Sequence, residues 1–108
     1  MNKSEKNKQF YLRYAAALSG KDKPLELLKN YIEDESLIEH ILFFEKLFPK
    51  YELVIDELMA EGARIFVRSH FIGKHEGISD GIPPTNKMVD TPFALGYKIK
   101  NEKIVDFW

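Results

Sequence analysis

The spacing of apolar residues changes once along this chain of 108 residues, and that change limits the folds open to it. In the first half, apolar residues recur every three or four positions, which is the spacing of a helix with one buried face. In the second half they alternate with polar residues, as in a strand with one buried face. Helices followed by strands predict an α+β domain, with the helices covering one face of a mostly antiparallel sheet.

Three helices are predicted in the first half. The first spans residues 5–19 and stops at Gly20, which suits the left-handed end of a helix. Pro24 fits the first turn of a short second helix, because its missing N–H would have no partner there. Asp34 or Ser36 can cap the third helix with a side-chain oxygen. Each helix would present one apolar stripe to a common core.

About four antiparallel strands are predicted in the second half. Glu61 and Gly62 join the first two strands, and Asn101 and Glu102 form a turn before the last one. Pro92 lies inside the long third strand and indicates a sheet edge or a bulge, since proline cannot donate a ladder hydrogen bond. One face of that strand carries Val89, Thr91, Phe93, Leu95, Tyr97 and Ile99, which is near-strict alternation over a long strand.

The composition limits the partners of the chain. Its length predicts a single domain over residues 1–108, and 44% apolar residues are enough for a core. The 16 basic and 17 acidic residues give a net charge of −1, so we expect neither nucleic acid nor a membrane surface as a partner. Cysteine is absent, and neither a membrane-spanning run nor a signal peptide is recognisable. These features favour a cytoplasmic protein.

The sequence predicts no metal site and no cofactor. The three histidines, His40, His70 and His75, do not have the spacing of metal ligands on one element. The glycines of the loop at 73–90 match neither of the common phosphate-binding patterns, and no helix follows them.

That loop, GKHEGISDGIPPTNKMVD, and the end of the chain, KIVDFW, carry a more specific pattern. Their order resembles the SnoaL-like polyketide cyclase and ester cyclase group of the nuclear-transport-factor-two-like superfamily. The matching positions are Gly73, His75, Gly77, Gly81, Pro83, Pro84, Thr85, Lys87, Lys103, Ile104 and Trp108.

The resemblance implies a cone-shaped barrel, in which the three N-terminal helices pack on a strongly curved, mostly antiparallel sheet. It implies an interior pocket for a small apolar or aromatic molecule, and a homodimer formed through the outer face of the sheet. It also gives the loop a structural role at the rim, because glycines allow sharp turns and the Pro-Pro pair stiffens the chain.

The sequence departs from this group at several positions. Asn86 and Glu102 replace glycines, and the segment between the second and third helices is short. The cyclases resemble one another in a histidine at the position of Leu95 and an aspartate one residue beyond the position of Trp108. Three hypotheses therefore stay open: a cyclase or isomerase that abstracts a proton next to a carbonyl, a non-catalytic ligand-binding module, and a dimeric structural or interaction module that lacks the cyclase acid.

Two residues are candidate general bases. His40 lies within the stripe of the third helix, where it is either a pocket imidazole or a partly buried histidine bonded to a backbone carbonyl. Asp56 lies in the middle of a strand, and regular alternation puts it on the same face as Val54 and Leu58. It is either a base in a dry pocket or an exposed acid on an amphipathic strand.

Other polar residues are candidates for ligand binding. Arg68 and His70 share a strand face, where they either bind a carboxylate or enolate oxygen or belong to a solvent or dimer face. His75 either steadies an oxyanion or hydrogen-bonds the backbone of its own loop.

Five aromatic residues are candidates for lining a pocket that takes a flat, apolar ligand, or else for forming plain core. They are Tyr11, Tyr14, Phe44, Phe93 and Trp108.

Overall fold

The computed structural model of the protein describes residues 2–78 and 81–108, so Ser79 and Asp80 of the loop lie outside the described residues. The element order confirms the α+β prediction of three helices followed by four antiparallel strands. The elements are α1 (Lys3–Leu18), α2 (Leu25–Tyr31), α3 (Glu35–Leu47), β1 (Glu52–Glu61), β2 (Arg64–Lys74), β3 (Met88–Lys100) and β4 (Lys103–Phe107). No helix in the described part of the chain is long and apolar enough to cross a membrane.

Side-chain caps fix the helix starts. The Asp34 carboxylate accepts hydrogen bonds from the backbone N–H groups of Ser36 and Leu37, as predicted for α3. The Asn2 side chain accepts from the Glu5 N–H at 2.8 Å, so α1 begins two residues earlier than the apolar stripe predicts. The stripe reports which face of a helix is buried, whereas the cap decides where it begins.

The sheet has the order β1-β2-β3-β4 and is not closed, which gives an open, cone-like fold. Asn101 and Glu102 both have positive φ, as a two-residue hairpin turn requires. Asn86 also adopts positive φ, a left-handed conformation that asparagine tolerates. β4 pairs with β3 only over Tyr97–Lys100, so Pro92 lies on a free edge, as predicted.

The two faces of the sheet differ. The inner face packs against the helices and includes the buried residues Ile65, Val67 and Ser69 of β2. The outer face carries the residues between them, such as Phe66 and Arg68, which are exposed. The core lies between α1, α3 and the inner face.

The glycine-rich loop is fastened to the end of α3. The Leu47 carbonyl accepts hydrogen bonds from the N–H groups of Glu76 and Gly77 at 3.0 and 3.1 Å. A side chain at Gly77 would overlap the backbone of α3, and one at Gly73 would meet the Phe48 Cβ at 2.9 Å. These two glycines are therefore required by close backbone approach.

A buried lysine, which the sequence does not predict, joins the helices to the sheet. The side chain of Lys23 has no exposed surface, and its ammonium donates to the carbonyls of Lys21 and Tyr51 and to the Glu45 carboxylate at 2.9, 3.1 and 3.0 Å. Burial lowers the pKa of Lys23, and Glu45 partly offsets that effect. All three donors are used, which makes the burial of this charge tolerable.

Candidate functional site

A cluster of tyrosines occupies the interior between α1 and the inner face. Tyr11 of α1 contacts Tyr97 of β3 with ring centroids 5.0 Å apart, and Tyr14 lies 5.5 Å from Tyr11 and 6.5 Å from Tyr97. All three residues are at most 3% exposed. Tyr51, at the start of β1, is also buried.

The hydroxyl groups of these tyrosines stay protonated at neutral pH. Burial raises the pKa of Tyr97 to about 12, although a hydrogen bond from Tyr11 works in the opposite direction. Burial and the neighbouring tyrosines raise the pKa of Tyr11 and Tyr14 well above the ordinary value. The pKa of Tyr51 is raised by burial and by the nearby Glu45 carboxylate. The interior therefore offers neutral O–H donors rather than phenolates.

An aromatic wall extends from this interior along α3. The ring of His40 lies 4.8 Å from Phe44 and 5.8 Å from Phe107 of β4. Phe44 lies 5.9 Å from Phe71 on β2, and Phe71 contacts Tyr51 at 4.7 Å. Phe44, Phe71 and Phe107 are only half-buried. The wall thus lies at the boundary between solvent and the packed interior.

His40 is the titratable member of this wall. Part of its ring remains in solvent, and burial of the rest lowers the pKa of His40 below the ordinary value for histidine. The imidazole is therefore neutral at pH 7 and has a lone pair that can accept a proton.

The end of β4 lies beside His40. Trp108 and Gly96 exchange two backbone hydrogen bonds at 2.9 and 3.0 Å. Leu95 is the next inward-facing residue of β3 after Tyr97, which lies opposite Phe107.

Asp56 lies elsewhere. A bulge between Ile55 and Glu57 interrupts the alternation of β1, so Leu58 faces inward whereas Asp56 faces outward. Its carboxylate lies 3.4 Å from the His70 Nδ1. Asp56 shares the outer face with Val54, as expected, but not with Leu58; that half of the expectation is wrong, because it assumed a regular strand.

Arg68 and His70 also lie on the outer face. The Arg68 guanidinium is 3.9 Å from Asp56 and 3.8 Å from Glu57, and its side chain is 58% exposed. The sheet separates these groups from His40, so the structure does not bring the two candidate bases together.

The five candidate aromatics do not share one cavity. Phe107 points inward beside Tyr97, so Trp108 points outward, where its indole covers Gly96 and lies 5.9 Å from Phe66. Together with Met59 and Arg68, Trp108 borders a shallow outer groove of about 410 Å³. Phe93 is half-buried on the inner face, opposite Ser69. Tyr11 and Tyr14 belong to the packed core, and Phe44 to the aromatic wall.

His75 is engaged by its own loop. Its Nδ1 accepts a hydrogen bond from the Thr85 N–H at 3.3 Å and lies 3.1 Å from the Thr85 hydroxyl. The proton of the neutral ring is therefore assigned to Nε2. Within residues 2–78 and 81–108, no cluster of three histidine or acidic residues could hold a metal ion.

Sequence reasoning missed Tyr51, Phe71 and Tyr97 as parts of the site. Tyr97 had a usable signal, because it lies on the apolar face that alternation gives to β3. Phe71 had a similar signal, because it continues the alternation of the inward residues of β2. Tyr51 precedes its strand, so no periodicity marked it.

An aromatic interior between three helices and an open antiparallel sheet defines a small α+β domain of the open-cone type. The sequence profile of the SnoaL-like polyketide cyclase family matches residues 15–108, and the chain belongs to that family. Among curated proteins, none matches this chain.

Solved structures share the fold. A proposed SnoaL-like polyketide cyclase from Jannaschia sp. CCS1 has a TM-score of 0.82 at 18% identity, with 99% of this chain and 85% of that chain covered. AclR from Streptomyces galilaeus, a proposed hydroxylase, has a TM-score of 0.80 at 21% identity, with coverage of 97% and 74%. A SnoaL-like polyketide cyclase from Agrobacterium tumefaciens C58 has a TM-score of 0.75 at 16% identity, with coverage of 100% and 90%. At these identities the likeness concerns the fold alone.

Proposed function

We propose that this protein binds a small, largely apolar or aromatic carbonyl compound between α3 and the inner face, and abstracts a proton next to the carbonyl as a cyclase or isomerase does. The observation that carries the proposal is the position of His40. Its imidazole is exposed on one side and lies 4.8 Å from the ring of Phe44 and 5.8 Å from that of Phe107, at the edge of the aromatic interior.

The chemistry assigned to His40 follows from its protonation state. A neutral imidazole removes a proton from the carbon next to the carbonyl, and the carbonyl oxygen becomes an enolate oxygen. That oxygen requires a donor, and we assign this role to a hydroxyl of the tyrosine cluster, whose O–H groups are neutral donors. Arg68 is excluded from this role because it lies on the outer face.

The test is the exchange of the α-hydrogen of an aryl β-keto ester in D2O, followed by NMR. We expect the protein to accelerate exchange, and His40→Gln to remove most of a gain of roughly 10²-fold or more. Glu39→Gln, an exposed neighbour on α3, is the matched control and should exchange as the wild type does. Equal rates for wild type and His40→Gln would contradict the proposal.

A second candidate is a ligand-binding module without catalysis. The observation that favours it is Leu95, which puts an apolar side chain where the resemblance places the cyclase histidine. This function predicts that the ester binds without accelerated exchange. Phe44→Ala should then weaken binding, while His40→Gln leaves the affinity almost unchanged, as measured by calorimetry.

We also propose that the protein forms a homodimer through the outer face. Met59, Phe66 and Trp108 expose 58, 39 and 49% of their surface there, which leaves apolar side chains in water. An isologous contact between two such faces would bury them. Sedimentation of the wild type should give a dimer, and Phe66→Glu should give a monomer. A wild-type monomer at high concentration would contradict this proposal, and also the hypothesis that the protein is a dimeric interaction module.

A further inference from the structure

The charges on the outer face of the sheet are sorted by strand. In the half of the sheet next to the β1–β2 hairpin, the outward charges of β1 are acidic, and we call Asp56, Glu57 and Glu61 the acidic row. The outward charges of β2 in the same half are basic, and we call Arg64 and Arg68 the basic row. In the strand register Glu57 lies beside Arg68, and Glu61 lies beside Arg64. The two rows therefore run side by side.

Contacts show that these side chains point away from the helices. The Glu57 carboxylate lies 3.8 Å from the Arg68 guanidinium, and the two side chains are 60 and 58% exposed. The Arg64 guanidinium lies over the ring of Trp108 on the outer face, 5.6 Å from its centroid. Glu61 is exposed and is the register partner of Arg64, so it lies on the same face.

The outer groove crosses the sheet between these two acid–base pairs. Met59 of β1, Phe66 of β2 and Gly96 of β3 are register neighbours, and the Trp108 indole covers Gly96. Phe66 is less exposed than Met59 and Trp108. The groove therefore runs above Phe66, with Met59 on one side and Trp108 on the other.

Two identical outer faces with nearly aligned strands can meet about two different two-fold axes. An axis along the strands, between β1 and β2, lays β1 of one subunit over β2 of its partner. Glu57 then faces the partner's Arg68, and Glu61 faces the partner's Arg64, because each residue meets the partner's copy of its own register neighbour. An axis across the strands lays β1 over the partner's β1 instead, so that acidic residues face acidic ones and basic residues face basic ones.

The axis along the strands also fills the outer groove. Met59 is the register neighbour of Phe66, so this axis places Met59 of each subunit above the partner's Phe66 and beside the partner's Trp108. A methionine side chain is unbranched and adaptable, which suits an irregular apolar groove. The contact would then have an apolar centre with charged pairs on either side, as protein interfaces usually have.

We propose that the homodimer forms about the axis along the strands, with Met59 of each subunit in the outer groove of the other. The acidic row of each subunit then faces the basic row of its partner. Facing charges of opposite sign set the register of an interface, and facing charges of the same sign disfavour the alternative axis. The arrangement rests on the proposed homodimer and adds its geometry, which exposed apolar side chains alone do not determine.

Two charge exchanges that leave the net charge at −1 test the arrangement. Glu57→Arg/Arg68→Glu exchanges the charges within one facing pair, so every facing pair keeps opposite signs. Glu57→Arg/Arg64→Glu changes one member of each facing pair, so that positive faces positive and negative faces negative. Sedimentation equilibrium at low ionic strength should give the first variant a dimer Kd close to that of the wild type, and the second a Kd raised at least about tenfold.

The first variant is the matched control for the second. All three positions are exposed, and thermal unfolding establishes that each variant is folded, which matters for the second because it also sets like charges side by side within a subunit. A weakened dimer in the second variant alone supports the arrangement. Equal Kd values for the two variants, or a greater loss in the first, would overturn the arrangement and leave the homodimer standing. A wild-type monomer would overturn both.

Discussion

The buried tyrosines predict a loss of stability in alkali. The perturbation is a rise in pH from 9 to 11. A tyrosine of the unfolded chain ionises near pH 10, whereas the raised pKa values of Tyr11, Tyr14, Tyr51 and Tyr97 keep their hydroxyls protonated in the folded state. The unfolded state therefore binds fewer protons than the folded state above pH 10, so the free energy of unfolding falls as the pH rises.

The magnitude follows from linkage. At pH 11 each such tyrosine favours the unfolded state by about 1.4 kcal/mol, so the four together cost about 5.5 kcal/mol. That is a large part of the roughly 5–15 kcal/mol that stabilises a domain. Lys23 works in the opposite direction, because its pKa is lowered on folding, but it is a single group.

The assay is urea unfolding between pH 8 and 11, together with absorbance at 295 nm, which detects tyrosinate. Tyrosinate from these residues should appear only as the protein unfolds. Tyr97→Phe removes one titrating group, so its loss of stability between pH 9 and 11 should be smaller by about 1.4 kcal/mol than that of the wild type. Stability that stays constant to pH 11 would refute the reasoning.

Three further predictions concern contacts within the fold. Lys23→Met should lower the free energy of unfolding, measured in urea, by about 2–4 kcal/mol, because it leaves Glu45 without its charged partner. Adding Glu45→Gln should restore part of this loss. If the double variant is as unstable as Lys23→Met, the ion pair is not the cause. Gly77→Ala should lower the melting temperature, because the added Cβ would overlap the Lys46 carbonyl at the end of α3, and an unchanged melting temperature would contradict this close approach. His75→Ala should speed amide hydrogen exchange at Thr85, because the N–H loses its acceptor, and unchanged exchange would show that this hydrogen bond is not maintained in solution.

Much of the fold could be predicted from local rules. The Asp34 cap, the Asn101-Glu102 turn and the edge position of Pro92 each depend on a few neighbouring residues, and all three are confirmed. Alternation in β3 also predicted that Tyr97 shares a face with Leu95 and Ile99, and this is confirmed.

The candidate site was harder to predict, because the positions of its side chains depend on breaks in strand alternation and on contacts between residues far apart in the sequence. Asp56 is the extra residue of a bulge in β1, which leaves it on the outer face and turns Leu58 inward, and no feature of the sequence marks that bulge. Phe107 takes the inward position at the end of β4, so Trp108 must face outward. The sequence around Lys23 is that of an ordinary surface lysine, and only the fold brings Glu45 and the Tyr51 carbonyl to its ammonium group.

The most direct test of the central claim is the position of a bound carbonyl ligand. NMR measurement of intermolecular nuclear Overhauser effects with the aryl β-keto ester should connect its ring protons to Phe44 and Phe71, and its α-hydrogen to the ring of His40. Effects to Phe66 and Trp108 instead would place the ligand in the outer groove and contradict the account.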